Sequence, residues 1–158
     1  MLTDDMKRII AEQRLGFVAT IAPDGTPAVS PKATFVVLDD TTIAFADIRS
    51  PGTLRNLAAN PHVEVNFVDP FMRRGYRFKG TVRVVTRGAS EFQSLLAQFT
   101  IYGDLAARMR AIVCITVTRA LPVTSPAYDD GAIEAELRAQ WMDRFRAQQP
   151  RETKGAGS

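Results

Sequence analysis

The residues best suited to chemistry lie in the run Ala46-Asp47-Ile48-Arg49-Ser50-Pro51-Gly52-Thr53-Leu54-Arg55-Asn56-Leu57. It reads as the end of an apolar strand, a polar turn and a short helix whose first turn carries Ser50, Pro51 and Thr53. A helix N-terminus leaves backbone N–H groups unpaired and carries partial positive charge, so an anion with several acceptor oxygens is stabilised there. Ser50 and Thr53 add hydroxyl donors, and Arg49 adds a charge-assisted fork, a set that suits a phosphate. The same residues also fit an ordinary N-cap, with serine followed by proline at the first helical position, which binds nothing.

Other candidates carry less chemistry. Lys32 follows Pro31 in a stretch otherwise bounded by small and apolar residues, and reads either as a ligand contact or as a solvated lysine. Arg77, Lys79 and Arg83 alternate along one face of a long strand pattern, either a plain solvent face or a binding row. The sole histidine, His62, begins a strand after a proline and reads as a surface residue. The sole cysteine, Cys114, sits in Ile112-Val113-Cys114-Ile115 and reads as a small core hydrophobe whose surroundings disfavour the thiolate. One Cys and one His exclude a disulfide framework and assemble no metal site at ligand spacings. No nucleophile stands beside a base.

The elements that must position these residues follow from pattern. Residues 3–13 form an amphipathic helix capped by Thr3, with Met6, Ile9 and Ile10 on one face. Gly16–Ala22 and Ala28–Ser30 make a hairpin about Pro23-Asp24-Gly25-Thr26, and Phe35–Leu38 and Thr42–Ala46 make a second about Asp39-Asp40. Asn60-Pro61 ends the short helix, after which His62–Val68 alternates and puts Val63, Val65 and Phe67 on one face. Residues 75–87 are the longest strand pattern, with Tyr76, Phe78, Gly80, Val82 and Val84 opposite the cationic face. Residues 89–99 suit a helix burying Phe92, Leu95, Leu96 and Phe99, and Ile112–Val117 is a central strand. Residues 126–147 read as one C-terminal helix with Ile133, Leu137, Trp141 and Phe145 as its stripe. Hairpin-linked strands, about six in all, with short helices between them, predict a mainly β (α+β) protein built as a small antiparallel barrel rather than a parallel sheet.

Length and composition bound the rest. The chain has 158 residues, is 46% hydrophobic and 23% charged, and carries a formal net charge of +3. These are the values of one globular domain, here residues 1–148, with 149–158 expected as a disordered tail. The acidic N-terminus lacks an apolar leader, and no stretch reaches membrane-spanning length, so a cytoplasmic protein with no membrane partner is expected. The modest positive charge serves any anionic ligand. Nucleic acid is disfavoured as a partner because Tyr76 and Phe78 alternate away from the arginines, leaving no stacking residues among the charges.

With its strands in this order, the chain resembles the pyridoxamine 5'-phosphate oxidase-like family, the FMN-binding split barrels. The pieces are Gly16-Phe17-Val18-Ala19-Thr20, Asp24-Gly25-Thr26-Pro27, Val29-Ser30-Pro31-Lys32, Thr53-Leu54-Arg55-Asn56-Leu57 with Asn60-Pro61, and Tyr76-Arg77-Phe78-Lys79-Gly80-Thr81-Val82. The resemblance implies a six-stranded antiparallel Greek-key split barrel that forms a homodimer with FMN held at the interface. It implies that Arg49 and Thr53 meet the phosphate, that Ser30 and Lys32 line the cleft, and that Asp47 and Ile48 approach the isoalloxazine with backbone groups. Lys79 would reach phosphate or substrate. True pyridoxamine phosphate oxidases carry a basic pair where this chain has Gly52 and Thr53, and the family's C-terminal substrate-binding segment is replaced here by a helix. The resemblance therefore implies a generic flavin-binding member, an oxidoreductase transferring hydride through flavin N5 on an unknown small-molecule substrate. The alternatives are a flavin carrier or sensor without turnover, and a deazaflavin-dependent reductase on the same fold.

Overall fold

The computed structural model describes residues 1–150. Helix α1 (Asp4–Gln13) is followed by strands β1 (Gly16–Ile21), β2 (Pro27–Lys32), β3 (Phe35–Val37) and β4 (Thr42–Asp47), helix α2 (Pro51–Ala59), and strands β5 (His62–Asp69) and β6 (Arg74–Thr86). Helix α3 (Phe92–Leu96) runs into a 3-10 segment, Ala97–Arg108, before strand β7 (Ala111–Thr124), a 3-10 turn at Pro126–Tyr128 and helix α4 (Glu134–Ala147). All seven strands join one antiparallel sheet in the order β2-β1-β5-β6-β7-β4-β3.

That order forces the sheet to curl. β2 and β3 are its two edges, yet only Ala33 and Thr34 separate them in the chain. A flat seven-stranded sheet would set its edges roughly 29 Å apart, six spacings of about 4.8 Å. Three Cα steps from Lys32 to Phe35 cover at most about 11 Å. The sheet closes on itself as a half-barrel, and its concave side is filled by Phe35, Phe45, Phe67 and Phe78 with Ile43, Val65, Val113 and Ile115. The rings of Phe35 and Phe67 meet edge-on at 4.8 Å. Helix α1 covers one opening. Thr3 caps it by accepting from the Met6 N–H at 3.3 Å, Ile9 and Ile10 are buried, and Asp5 accepts from the Tyr76 hydroxyl at 2.6 Å.

The strand count is seven against about six expected, and each stretch read as a strand from pattern, Phe35–Leu38 included, forms one. β7, with 14 residues, is more than twice the expected length. Its first half, Ala111–Ile115, is buried on both faces between β4 and β6. Beyond Val117 it has lost β4 as a neighbour and becomes an edge, which is why Pro122, without an N–H, is tolerated there. A bulge at Lys79/Gly80 marks the change.

The helix expected over 89–99 is only five residues of α-helix, with non-helical backbone at Phe99 and again at Gly103. Phe92 and Phe99 still anchor it, packed with Val85, Met109, Ile112 and Cys114 in a second core on the convex side. The single helix expected over 126–147 is a 3-10 turn followed by α4 from Glu134. Of its stripe, Leu137 is buried, whereas Ile133 stays 59% exposed. Trp141 lies between Arg73 and Arg144, whose guanidinium carbons sit 4.0 and 5.0 Å from its ring centroid. The expectation of a disordered tail falls, from Arg151 onward, outside the described residues. No helix among the described residues is long and apolar enough to cross a membrane.

Candidate functional site

β4 ends at Asp47, the chain turns through Ile48 and Arg49, and α2 begins at Pro51. Asn56, on the inner face of α2, donates to the Thr20 hydroxyl at 3.0 Å, and this buried bond clamps the helix against β1. The first turn of α2 is thereby held over the outer strand β2. Between them is an open cleft of about 310 Å³ lined by Thr20, Ala28, Val29, Ser30, Arg49, Ser50, Gly52, Thr53 and Asn56. Among the described residues, no carboxylate lines it.

Ser50 occupies the N-cap position but makes no side-chain capping bond to the helix. Its hydroxyl instead accepts from the Lys32 ammonium at 2.6 Å, and Ser30 accepts from the same ammonium at 2.7 Å. Of the two readings the sequence left open, the simple N-cap is therefore not the one this serine follows. A hydroxyl that accepts from an ammonium has its own proton left to give. Lys32 thus sits behind the cleft wall and leaves two O–H donors, Ser30 and Ser50, for whatever occupies the cleft. The N–H groups of Gly52 and Thr53 lie in the same first turn, and a side-chain carbon added at Gly52 would meet nothing within 4 Å.

The electrostatics are unusual for a folded surface. Lys32 is only 8% exposed, and its two hydrogen-bond partners are neutral hydroxyls. Burial pushes its ammonium below the usual lysine range, with the Asp47 carboxylate opposing that shift. Asp47 is itself buried, and its Oδ1 has no hydrogen-bond partner. Its backbone carbonyl accepts from the Arg110 N–H at 2.8 Å, so the unspent acceptor is the side chain.

The other anticipated residues separate. Thr53 is buried in the cleft wall, and Arg49 is exposed at its rim. Ile48 and Arg49 border a second cleft together with Arg87, Arg108 and Arg110. Lys79 lies elsewhere, in a hollow of about 440 Å³ on the β1–β5–β6 side, where its ammonium is 3.4 Å from Glu64. Glu64 also pairs with Arg77 at 2.9 Å, and Glu91 pairs with Arg83, so the cationic row of β6 is largely neutralised by its neighbours. Ser50 was anticipated as a hydroxyl donor, but its contact with Lys32 and the clamp made by Asn56 were not visible in sequence, since the partners lie 18 and 36 residues away.

The cleft can hold an oxyanion against two hydroxyls, a guanidinium and a helix N-terminus, with a buried ammonium behind them. The family model of pyridoxamine 5'-phosphate oxidase matches residues 2–124. Among solved structures, HupZ of Group A Streptococcus is 31% identical, with 79% of this chain and 96% of that one covered at a TM-score of 0.66. An FMN-binding protein from Syntrophomonas wolfei shares the fold at 12% identity, covering 77% of this chain and 86% of its own, with a TM-score of 0.64. An F420 reductase does so at 22% identity, 76% and 98% coverage and a TM-score of 0.59. No curated protein matches the chain. The half-barrel, the order of its strands and the match over residues 2–124 together establish that this chain belongs to the pyridoxamine 5'-phosphate oxidase family.

Proposed function

We propose that this protein is an FMN-binding flavoprotein that works as a homodimer and acts as an oxidoreductase on a small molecule, with the cofactor phosphate seated between β2 and the start of α2. The observation that carries the reading is the buried Lys32 ammonium, which has only hydroxyl partners and stands behind a cleft without any carboxylate in its lining. Two positive charges, Lys32 and Arg49, gather where the family's basic pair is missing at Gly52 and Thr53. A phosphate would compensate both.

The residues present fit such a group. Arg49 and Thr53 bind phosphate oxygens, Ser30 and Ser50 donate the two protons that Lys32 leaves free, and the first-turn N–H groups of α2 face the same anion. Asp47 lines neither cleft, and its buried carboxylate acts on the site through the charge of Lys32. When bound, FMN supplies hydride transfer at its N5, and the chain contributes orientation and electrostatics. The Lys32 ammonium donates to both hydroxyls and so holds them in a donating arrangement.

The homodimer has its own support. The outward side of the β1–β2 hairpin carries Phe17 opposite Pro31, Ala19 opposite Val29 and Ile21 opposite Pro27, every one apolar. Phe17 is 48% and Val29 65% exposed, and Val29 also borders the cleft. A second copy seated on this face would cover it and close the cleft from outside.

The test is the visible absorbance of the purified protein, followed by titration of FMN, and in parallel a deazaflavin, into the colourless fraction. A two-banded flavin spectrum at about one FMN per chain is expected. Deazaflavin binding without FMN binding would replace the cofactor and keep the site, and binding of neither would refute the reading. Bleaching of bound flavin by NADH or NADPH separates turnover from a carrier or sensor role.

A further inference from the structure

Three strand ends meet at one end of the half-barrel. In the ladders, Ala111 at the start of β7 pairs with Thr86 at the end of β6 on one side and with Asp47 at the end of β4 on the other. The residues just outside that row are Arg87, Arg110 and the pair Ile48-Arg49. Their backbone is fixed: the Arg87 N–H donates to the Arg110 carbonyl at 3.2 Å, and the Arg110 N–H donates to the Asp47 carbonyl at 2.8 Å. Arg108 arrives from the last turn of the 3-10 segment, one residue before the fully buried Met109.

Together they enclose a cleft of about 550 Å³ lined by Ile48, Arg49, Arg87, Ala107, Arg108 and Arg110. Four arginines line it, and among the described residues no acid does. Among the described residues, Arg8, Arg74, Arg77, Arg83, Arg138 and Arg146 sit against carboxylates, and none of these four does. Arg87 is already oriented, because its Nε donates to the Met109 carbonyl at 2.8 Å and one Nη to the Ala107 carbonyl at 2.7 Å. Like charges held in a concavity repel, and the arrangement is relieved by an anion.

We propose that this cleft is a second binding site, for a small molecule bearing at least two phosphate or carboxylate groups. One tetrahedral or planar oxyanion satisfies two guanidinium forks, and the forks of Arg49, Arg108 and Arg110 with the remaining Nη of Arg87 suit two such groups. The volume is that of a small-molecule site. Nucleic acid is the poorer occupant, because the only apolar linings are Ile48 and Ala107 and no base finds an aromatic face. Arg49 borders both clefts, so the ligand lies next to the proposed flavin phosphate, but the site needs no flavin to bind.

The test is calorimetric titration of the flavin-free full chain with pyrophosphate and with citrate, on the native protein and on the double variant Arg108→Gln, Arg110→Gln. Both side chains are exposed and Arg49 is untouched, so melting temperature and FMN titration serve as controls. At least one probe is expected to bind the native protein, more weakly as salt rises, and to lose affinity about tenfold or more in the variant with FMN binding unchanged. Preference for pyrophosphate assigns a phosphate-bearing ligand, and preference for citrate a carboxylate-bearing one. The single variant Arg108→Gln, expected to show an intermediate loss, stands in should the double variant melt early. Equal affinity in native and variant protein, no binding of either probe, or an oligonucleotide that binds and is not displaced by pyrophosphate would each overturn the proposal. If FMN fails to bind but the variant still loses its anion, the flavin reading falls and this one stands.

Discussion

Replacing Lys32 by Met tests whether the buried ammonium serves a ligand or the fold. In the native chain its two partners are the hydroxyls of Ser30 and Ser50, at 2.7 and 2.6 Å, so its removal costs two charge-assisted bonds. Against that stands the desolvation of a charge in a residue 8% exposed, which is large enough to move the ammonium below the usual lysine range. The two effects oppose and methionine fills a similar volume, but the buried Asp47 carboxylate loses the charge it faces, so stability in urea is expected to fall by about 1–3 kcal/mol. Ligand affinity has no such compensation. An anion accepting from the two hydroxyls lies one hydrogen bond beyond the ammonium, roughly 5 Å away, where a unit charge contributes about 1–3 kcal/mol between the limits of water and protein surroundings. FMN binding, followed by fluorescence quenching, should therefore weaken roughly 5- to 150-fold. The pH dependence carries the same signature. Because the folded-state pKa of Lys32 is lowered, the unfolded chain binds the extra proton between that value and 10.5, so native stability gains from this group as pH rises through that window. FMN affinity should fall through the same window, and both effects should vanish in the methionine variant. A variant that unfolds several kcal/mol more easily yet binds FMN at native strength would refute the reasoning and make Lys32 a structural tie between β2 and α2.

Other changes separate the site from its scaffold. Arg49→Ala with Thr53→Ala should abolish flavin retention on gel filtration while far-UV circular dichroism stays native, and flavin kept by this variant would mean that the phosphate sits elsewhere. A side-chain carbon added at Gly75 would lie 1.9 Å from the Phe67 carbonyl oxygen in the neighbouring strand. Gly75→Ala should accordingly cost about 2–3 kcal/mol or prevent folding, whereas Gly52→Ala, with open space around it, should be neutral or slightly stabilising in a denaturant titration. Phe17→Asp places a charge in the apolar outward face of β1–β2, and sedimentation should turn a native dimer into a monomer. A native protein that already sediments as a monomer at micromolar concentration would remove the dimer from the proposal.

Local signals carried much of the architecture. Thr3 before an amphipathic run, Asp24-Gly25 between two apolar runs and Asn60-Pro61 after α2 mark boundaries through backbone chemistry that acts within a few residues, and the elements fall there. The second half of β7 was not legible in the same way. Thr118-Arg119-Ala120-Leu121-Pro122 has no apolar periodicity, and it becomes a strand because β6 is long enough to pair with it. The break in the helix after Leu96 was not legible either, because Phe92 and Phe99 have the spacing of one buried helix face and both are buried in the convex core across the break.

For the site, the sequence by itself determined the ingredients: a proline-started helix after a strand, with Arg49, Ser50 and Thr53 at its head and a lysine, Lys32, two strands earlier. Tertiary structure decided what they do. Whether Ser50 caps its own helix or accepts from Lys32 depends on β2 lying against α2, a contact made across 18 residues. Whether Lys79 joins the phosphate seat depends on Glu64, its partner across the β5–β6 ladder, which holds it 3.4 Å away in another hollow. The convergence of Arg49, Arg87, Arg108 and Arg110 has no trace in the order of residues, because it arises only where the ends of β4, β6 and β7 are stacked by the ladder. Hydrogen bonding within a turn is written into neighbouring residues, whereas charges drawn together from distant segments are set by the closure of the sheet.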